Sequence, residues 1–296
     1  MRLSGNVAGA LLMMASMASF TINDTLIKAM AGDVPLNQIL FLRGVLTSAM
    51  VGAAAWRMGN LYARLSRRDW ILVVIRTMAE TAAAYFFLTA LFHMPIANVT
   101  AILQALPLIV TLAAVFFFGE HVGWRRMIAI LLGLAGVMLI IRPASDDFNF
   151  HSLYALVAVF CVALRDLSTR RLSRRVPTMF VTLFTSVSMT AFFGFAGLGT
   201  DWVPMGTREI SLTSAASIMI MCAYLFSIMV MRVGEVSFVA PFRYTGLLWA
   251  MLLGWLVFNE WPDNVTLLGA AILVGSGLFA FYRETSLGLA RRNRAR

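Results

Sequence analysis

Ten mostly apolar runs, each near the length that crosses a bilayer, follow one another along this chain with little between them. They cover 7–30, 36–56, 70–92, 96–118, 124–141, 152–170, 178–198, 212–231, 236–258 and 264–282. A helix needs about 20 such residues to span the hydrocarbon core. Lipid offers no partner to backbone N–H and C=O groups, so only helices and closed barrels cross it. These runs are too long for barrel strands and lack two-residue alternation. The fold class expected is an all-α integral membrane bundle of ten transmembrane helices, in which short connections make consecutive helices antiparallel. Composition agrees, because 60% hydrophobic and 13% charged residues do not furnish a water-facing globular surface. The first run continues to about Met30, past any plausible cleavage point, so it reads as a span and not as a signal peptide.

The net charge of +10 would point to nucleic acid in a soluble chain. Here most arginines lie between apolar runs, where they set orientation. With a cytoplasmic N-terminus, seventeen of the 24 basic residues fall on the cytoplasmic side, in segments such as "RRLSRR" at 170–175 and the tail "RRNRAR". The opposite side then holds Lys28, Arg142 and Arg208, and the positive-inside rule places both termini in the cytoplasm. A bacterial inner membrane is the expected location, with lipid and a small-molecule substrate as partners and no nucleic acid. The basic loops can also attract anionic lipid, although a topology role suffices. Cys161 and Cys222 lie inside apolar runs and read as core residues. His93, His121 and His151 lie at helix ends without metal-ligand spacing, so neither a metal nor another cofactor is expected.

Four residues sit inside spans as cations, Arg43, Arg76, Arg165 and Arg243. Arg76 and Glu80 share one side of span 3 at i, i+4 and are expected to pair, which reduces the cost of burial. Two readings stay open for them, a strut that locks span 3 to Arg43 or Asp24, and a ligand or proton site on a cavity wall. Asp24 and Lys28, and likewise Asp166 and Arg170, have the same spacing near span ends and read as gating or helix-end pairs. Thr100, Gln104, Pro107 and Thr111 follow one face of span 4, and Arg243, Tyr244 and Thr245 are adjacent in span 9. Among these, Gln104, Arg243 and Tyr244 are the candidates for ligand contact, with Tyr85 and Trp249 available for stacking. The threonines read as glue between helices. Pro107 and Pro241 permit bending. The GxxxG spacing of "GNVAG" at 5–9 has no need of a dimer reading.

The chain also matches itself. Asp24, Lys28, Val34 and Pro35 match Asp166, Arg170, Val176 and Pro177 at an offset of 142. "YFF" at 85–87 resembles "YLF" at 224–226, and "FFFGE" at 116–120 resembles "LVFNE" at 256–260. Two five-helix halves follow, and because five is odd the second enters the membrane from the opposite side, an inverted repeat that suits alternating access. The halves are expected at 1–141 and 152–283, with a connection at 142–151 and a basic tail at 284–296.

These features together resemble the drug/metabolite transporter superfamily, in its ten-helix form with two EamA-type halves. The resemblance rests on the span count, "FLRGV" in span 2, "IRTMAE" in span 3, the "ALP" proline of span 4, and the glutamates ending spans 4 and 9, Glu120 and Glu260. "PFRYTGLLWAMLLGWLVFNEWPD" at 241–263 is similar to the span-9 pattern of the branch with riboflavin importers and S-adenosylmethionine permeases. The second copy departs from the pattern, having Gly246 and Leu247 where the span-4 proline would fall.

Three function classes compete. A secondary transporter explains the repeat, the buried charges and the lack of a P-loop. An intramembrane enzyme would need a reactive pair, but no GxSxG or HExxH occurs and Asp24 and Asp166 lie toward opposite faces. A channel-like protein leaves the duplication unexplained. The resemblance implies riboflavin uptake, with S-adenosylmethionine uptake or export of amino acids or drugs as alternatives. The excess of in-span arginine over Glu80 and Asp166 favours a neutral, electron-rich heterocycle.

Overall fold

The computed structural model describes residues 5–57, 65–118, 123–143, 148–173, 176–233 and 236–294. All the regular elements there are helical: α1 (Gly5–Lys28), α2 (Leu36–Arg57), α3 (Arg67–His93), α4 (Ile96–Leu103), α5 (Leu106–Phe118), α6 (Trp124–Ile141), α7 (His151–Arg170), α8 (Thr178–Gly197), α9 (Thr207–Val233), α10 (Val236–Val239), α11 (Thr245–Phe258) and α12 (Asn264–Arg294). Ten of the spans they form are long and apolar enough to cross a membrane, and the chain is a multi-pass membrane protein. Several helices outrun the apolar runs: α9 begins at Thr207 and α12 continues to Arg294. A helix satisfies its own backbone, so nothing obliges it to stop where the hydrocarbon does.

Spans 4 and 9, expected as single helices, are each interrupted. Pro107 would collide with the carbonyl of Leu103, and α4 ends at Leu103 before α5 resumes at Leu106. Pro241 lies in a 3-10 turn, Ala240–Tyr244, between α10 and α11. Both prolines thus interrupt their spans, although they stand at different points of the pattern.

α1 packs on α9, α2 on α8, α3 on α7, α6 on α12, and α4 on α11. In span numbers these pairs are 1 with 8, 2 with 7, 3 with 6, 5 with 10 and 4 with 9. Exchanging spans 1–5 with 6–10 leaves the set unchanged. A close seam joins α6 to α12, where a Cβ on Gly136 would lie 2.7 Å from the Gly269 carbonyl oxygen, and one on Gly269 equally close to that of Gly136. Small residues let backbones approach in this way and replace the hydrophobic drive that lipid removes.

Interior apolar side chains gather in two main clusters. Ile102, Leu108, Ile130, Val159 and Leu273 belong to one, and Ile27, Met30, Ile39, Leu91 and Phe193 to the other. Trp56, Trp124, Trp261 and Tyr282 are exposed near the ends of the apolar spans, where amphipathic rings favour the headgroup level. At one end Ser66 caps α3, accepting from Asp69 N at 3.1 Å and donating to Asp69 Oδ2 at 2.8 Å. Asp69 Oδ1 also accepts from Ser173 N at 3.1 Å, tying the start of α3 to the end of α7.

The glycine seam gives a prediction. Gly136→Val and Gly269→Val each force α6 and α12 apart and should cost about 1–3 kcal/mol, seen as a lower thermal midpoint of the purified protein in detergent. Gly199→Ala, where a Cβ meets nothing within 4 Å, should leave the midpoint unchanged.

Candidate functional site

Arg165, on α7, is the centre of a buried polar network. Its NH1 donates to both oxygens of Glu80 on α3 at 3.1 Å, and its Nε to Asp166 Oδ1 at 2.9 Å. The side chains are only 23% exposed for Arg165 and 13% for Glu80. The expected Arg76–Glu80 pair does not form. Arg76 instead donates from NH1 to Thr185 Oγ1 at 2.7 Å and from Nε to Thr169 Oγ1 at 3.1 Å. The physical reason is the α3–α7 contact, which brings a guanidinium from a second helix to Glu80 and places Thr169 and Thr185 over Arg76. The charged strut therefore locks span 3 to span 6, and not to Arg43 or Asp24. Tyr224, on α9, donates to Glu80 Oε1 at 3.5 Å and packs edge-on against Phe20.

The network continues toward the other end of the bundle. Arg43 on α2 lies within electrostatic reach of Tyr224, Asp24 and Glu80. Its NH1 donates to Asn23 Oδ1 at 3.2 Å, and Asn23 Nδ2 donates to Asp24 Oδ1 at 2.9 Å. Asp24 does not pair with Lys28. One turn further out, Lys28 Nζ donates to both oxygens of Glu260 and to the Met94 carbonyl, each at 2.7 Å. Glu260 is delivered there by the end of α11. Asn259 adopts the left-handed conformation (φ 55°), with its N–H bonded to Trp255 O and that of Glu260 to Gly254 O, a Schellman turn that swings the next side chain back over the bundle. Glu260 Oε2 also accepts from Ile96 N at 3.2 Å, so this one carboxylate ties the ends of α1 and α11 to the start of α4. Asp166 likewise does not meet Arg170: it is held by its neighbour Arg165, while Arg170 at the end of α7 is exposed.

The two interrupted spans meet each other. Gln104, at the break between α4 and α5, donates from Nε2 to the Arg243 carbonyl at 3.3 Å. Arg243 faces Asp166 and Arg165 electrostatically, and its guanidinium makes no hydrogen bond or ion pair among the described residues. The adjacent Tyr244 is buried, and its hydroxyl has no partner among the described residues. Gly277 on α12 makes room for that hydroxyl, since a Cβ there would collide with it.

Of the residues singled out from sequence, Arg43, Arg76, Glu80, Asp24 and Asp166 join the Arg165 network, while Gln104, Arg243 and Tyr244 form the adjoining break. Tyr85 is instead exposed, its ring against Phe86, and no hydrogen bond or ring contact joins Trp249 to either group. Tyr85 faces outward because α3 turns Glu80 inward, and five residues on places a side chain well round the helix. Glu120 and His121 lie outside the described residues. Sequence reading missed the roles of Arg165, Tyr224 and Asn23. Tyr224 carried a signal, as the repeat counterpart of Tyr85 in "YLF", and the unbroken "LRD" of span 6 marked Arg165. His93 and His151 stack at 3.9 Å, and no group of three metal-ligating side chains occurs among the described residues. Outside the spans, burial pushes the Asp263 carboxyl up, but hydrogen bonds from Thr266 N and Arg142 outweigh it and hold it below the usual range.

Residues 7–142 and 149–282 each match the EamA-like transporter family. A protein named S-adenosylmethionine uptake transporter from Rickettsia bellii is 28% identical over 195 residues, 64% of this chain. That match spans 65% of the relative, just under two thirds of its length. A protein named riboflavin transporter from Vibrio cholerae is 32% identical over 232 residues, 78% of this chain and 77% of its own. A crystal structure of a protein 21% identical in sequence superposes over 97% of this chain and 99% of its own with a TM-score of 0.66, a likeness of fold.

The network predicts an order of effects. Arg165→Gln strands Glu80 and Asp166 together and should cost about 3–5 kcal/mol of stability. Glu80→Gln should cost less, because Asp166 still meets Arg165, and the protein should still insert while transport falls. Unfolding of both variants in detergent, beside their membrane content and transport rate, checks this order.

Proposed function

The chain belongs to the EamA-like transporter family, and from that premise we propose that it carries riboflavin into a bacterial cell across the inner membrane by alternating access. The protein is a transporter of a small metabolite, not an enzyme. In this reading the halves 1–141 and 152–283 form an inverted repeat joined by 142–151, with both termini and the basic tail 284–296 cytoplasmic. The self-matching sequence, the family match to each half and the exchange-symmetric helix pairing support the duplication.

The observation that carries the substrate reading is the donor-rich break between spans 4 and 9. Arg243 offers a guanidinium that faces Asp166 but makes no ion pair among the described residues, Tyr244 a buried hydroxyl without a partner among them, and Gln104 an amide alongside. A flavin presents ring carbonyls and ring nitrogens that such donors match, and a buried polar group left unmatched is costly. The charges agree. Arg43, Arg76, Arg165 and Arg243 outnumber Asp24, Glu80 and Asp166, which favours a neutral, acceptor-rich ligand over a cationic one. S-adenosylmethionine import is the second reading, favoured by the one in-span carboxylate, Asp24, that has no ion pair among the described residues.

Gating follows from the span ends. The Lys28–Glu260 pair, with Ile96 N and the Met94 carbonyl, holds the outer end shut in this conformation. Glu260→Gln should therefore raise labelling of a cysteine placed at Thr25, buried on α1, by a membrane-impermeant maleimide several-fold. Unchanged labelling would remove Lys28–Glu260 as the latch.

Uptake of labelled riboflavin by cells expressing the protein, against an empty vector and beside labelled S-adenosylmethionine, tests the substrate. Saturable riboflavin uptake that falls at least tenfold in Arg243→Gln is the expected outcome. Uptake of S-adenosylmethionine alone would select the second reading, and uptake of neither, with the protein inserted, would point to export.

A further inference from the structure

Asp24, Glu80 and Asp166 each lie at least one turn inside a span, and two of them, Glu80 and Asp166, share Arg165. Asp24 is different. It makes no ion pair among the described residues, and its one side-chain hydrogen bond comes from Asn23 Nδ2. Asn23 is 2% exposed and both ends of its amide are spent, the donor on Asp24 and the acceptor on Arg43. The amide thus stands between an acid and a base that would otherwise pair directly. A carboxylate set into a bilayer without a cation is costly, and either a proton or an arriving cation relieves it.

We infer that Asp24 is a proton-binding site that couples substrate binding to proton uptake. The step is a simple protonation: Asp24 carboxylate takes one proton from solution on its Oδ atom and releases it after the bundle has changed access. Its link to substrate runs through Arg43. While Asp24 is ionised, its charge helps hold the Arg43 guanidinium, whose hydrogen bond among the described residues goes to Asn23. Once Asp24 is protonated, that pull is gone and the remaining donors of Arg43 turn to an acceptor group on the substrate. Proton and substrate therefore bind better together than apart, and the coupling is reciprocal. This inference rests on the proposed reading that the ligand is acceptor-rich.

The groups facing Asp24 support a single site. Arg43 from α2 is the charged group that faces it. Glu80 from α3 and Tyr224 from α9 act on Arg43, and Arg243 from the 3-10 turn faces Arg165 and Asp166. α10 and α11, which also pack on α1, carry no titratable side chain in their described parts. On α1 itself Lys28 is committed to Glu260.

The test uses the purified full-length protein in nanodiscs. Riboflavin affinity, read by quenching of flavin fluorescence, should strengthen as pH falls, by up to about tenfold per pH unit where one proton is taken up. Asp24→Asn, which fixes the neutral form, should bind with an affinity that no longer changes with pH. An equal pH slope in both proteins would overturn the inference. So would a flat wild-type slope with binding of labelled S-adenosylmethionine lost in Asp24→Asn, because the carboxylate would then serve a substrate cation. Infrared difference spectra between acid and alkaline pH give a readout without substrate: a protonated-carboxyl carbonyl band in the wild type that vanishes in Asp24→Asn. If riboflavin does not bind but that band is present, the substrate reading fails and the proton site stands. If the wild type has no such band, the proton site is overturned whatever the substrate.

Discussion

A guanidinium placed among apolar helices needs partners, and Arg165 meets two carboxylates, one on its own helix and one on α3. Much of the interior is arranged around that contact. Glu80 is turned inward to reach it, which sends Tyr85 outward and leaves Arg76 to the hydroxyls of Thr169 and Thr185. Tyr224 completes the shell of Glu80, and Arg43 extends the same field toward Asn23 and Asp24. An unpaired charge at this depth costs about 2.5–3.5 kcal/mol on insertion scales, so these partners are needed for the bundle to close at all.

The spans were legible because bilayer thickness imposes one length on each of them, whatever their neighbours do. The partners of the charges were not. Arg76 and Glu80 have the spacing of a helical ion pair, and a single helix would make that pair. Which guanidinium reaches Glu80 depends on how α3 lies against α7, a long-range fact that spacing within a run does not carry. The same holds for Lys28. Its spacing points to Asp24, but the Asn259 turn brings in Glu260 from 232 residues away along the chain. Where the pattern is local the reading is closer: Pro107 and Pro241 mark interruptions in their spans, and Gln104, Arg243 and Tyr244, chosen for their chemistry, lie where those interruptions meet.

The interruptions and the charged network divide the labour of the interior. At the break, the Tyr244 hydroxyl and the Arg243 guanidinium have no hydrogen-bond partner among the described residues, a state that a ligand can relieve. In the network Arg165, Glu80 and Asp166 match one another, which ties α3 to α7, and Tyr224 adds α9. Asp24 stands at the margin between these regimes, close to a matched cluster without an ion pair of its own among the described residues.

The glycine seam between α6 and α12 has a consequence for how the chain is made. Gly136 and Gly269 are 133 positions apart in sequence, so α6 leaves the ribosome long before α12 does. Until it arrives, the face of α6 that carries Gly136 has only lipid against it, and lipid tails fill a glycine notch poorly. Docking of α12 is thus a late event of assembly relative to α6, and a chain stopped before it keeps an open notch by which quality-control proteases can tell it from one that carries the seam.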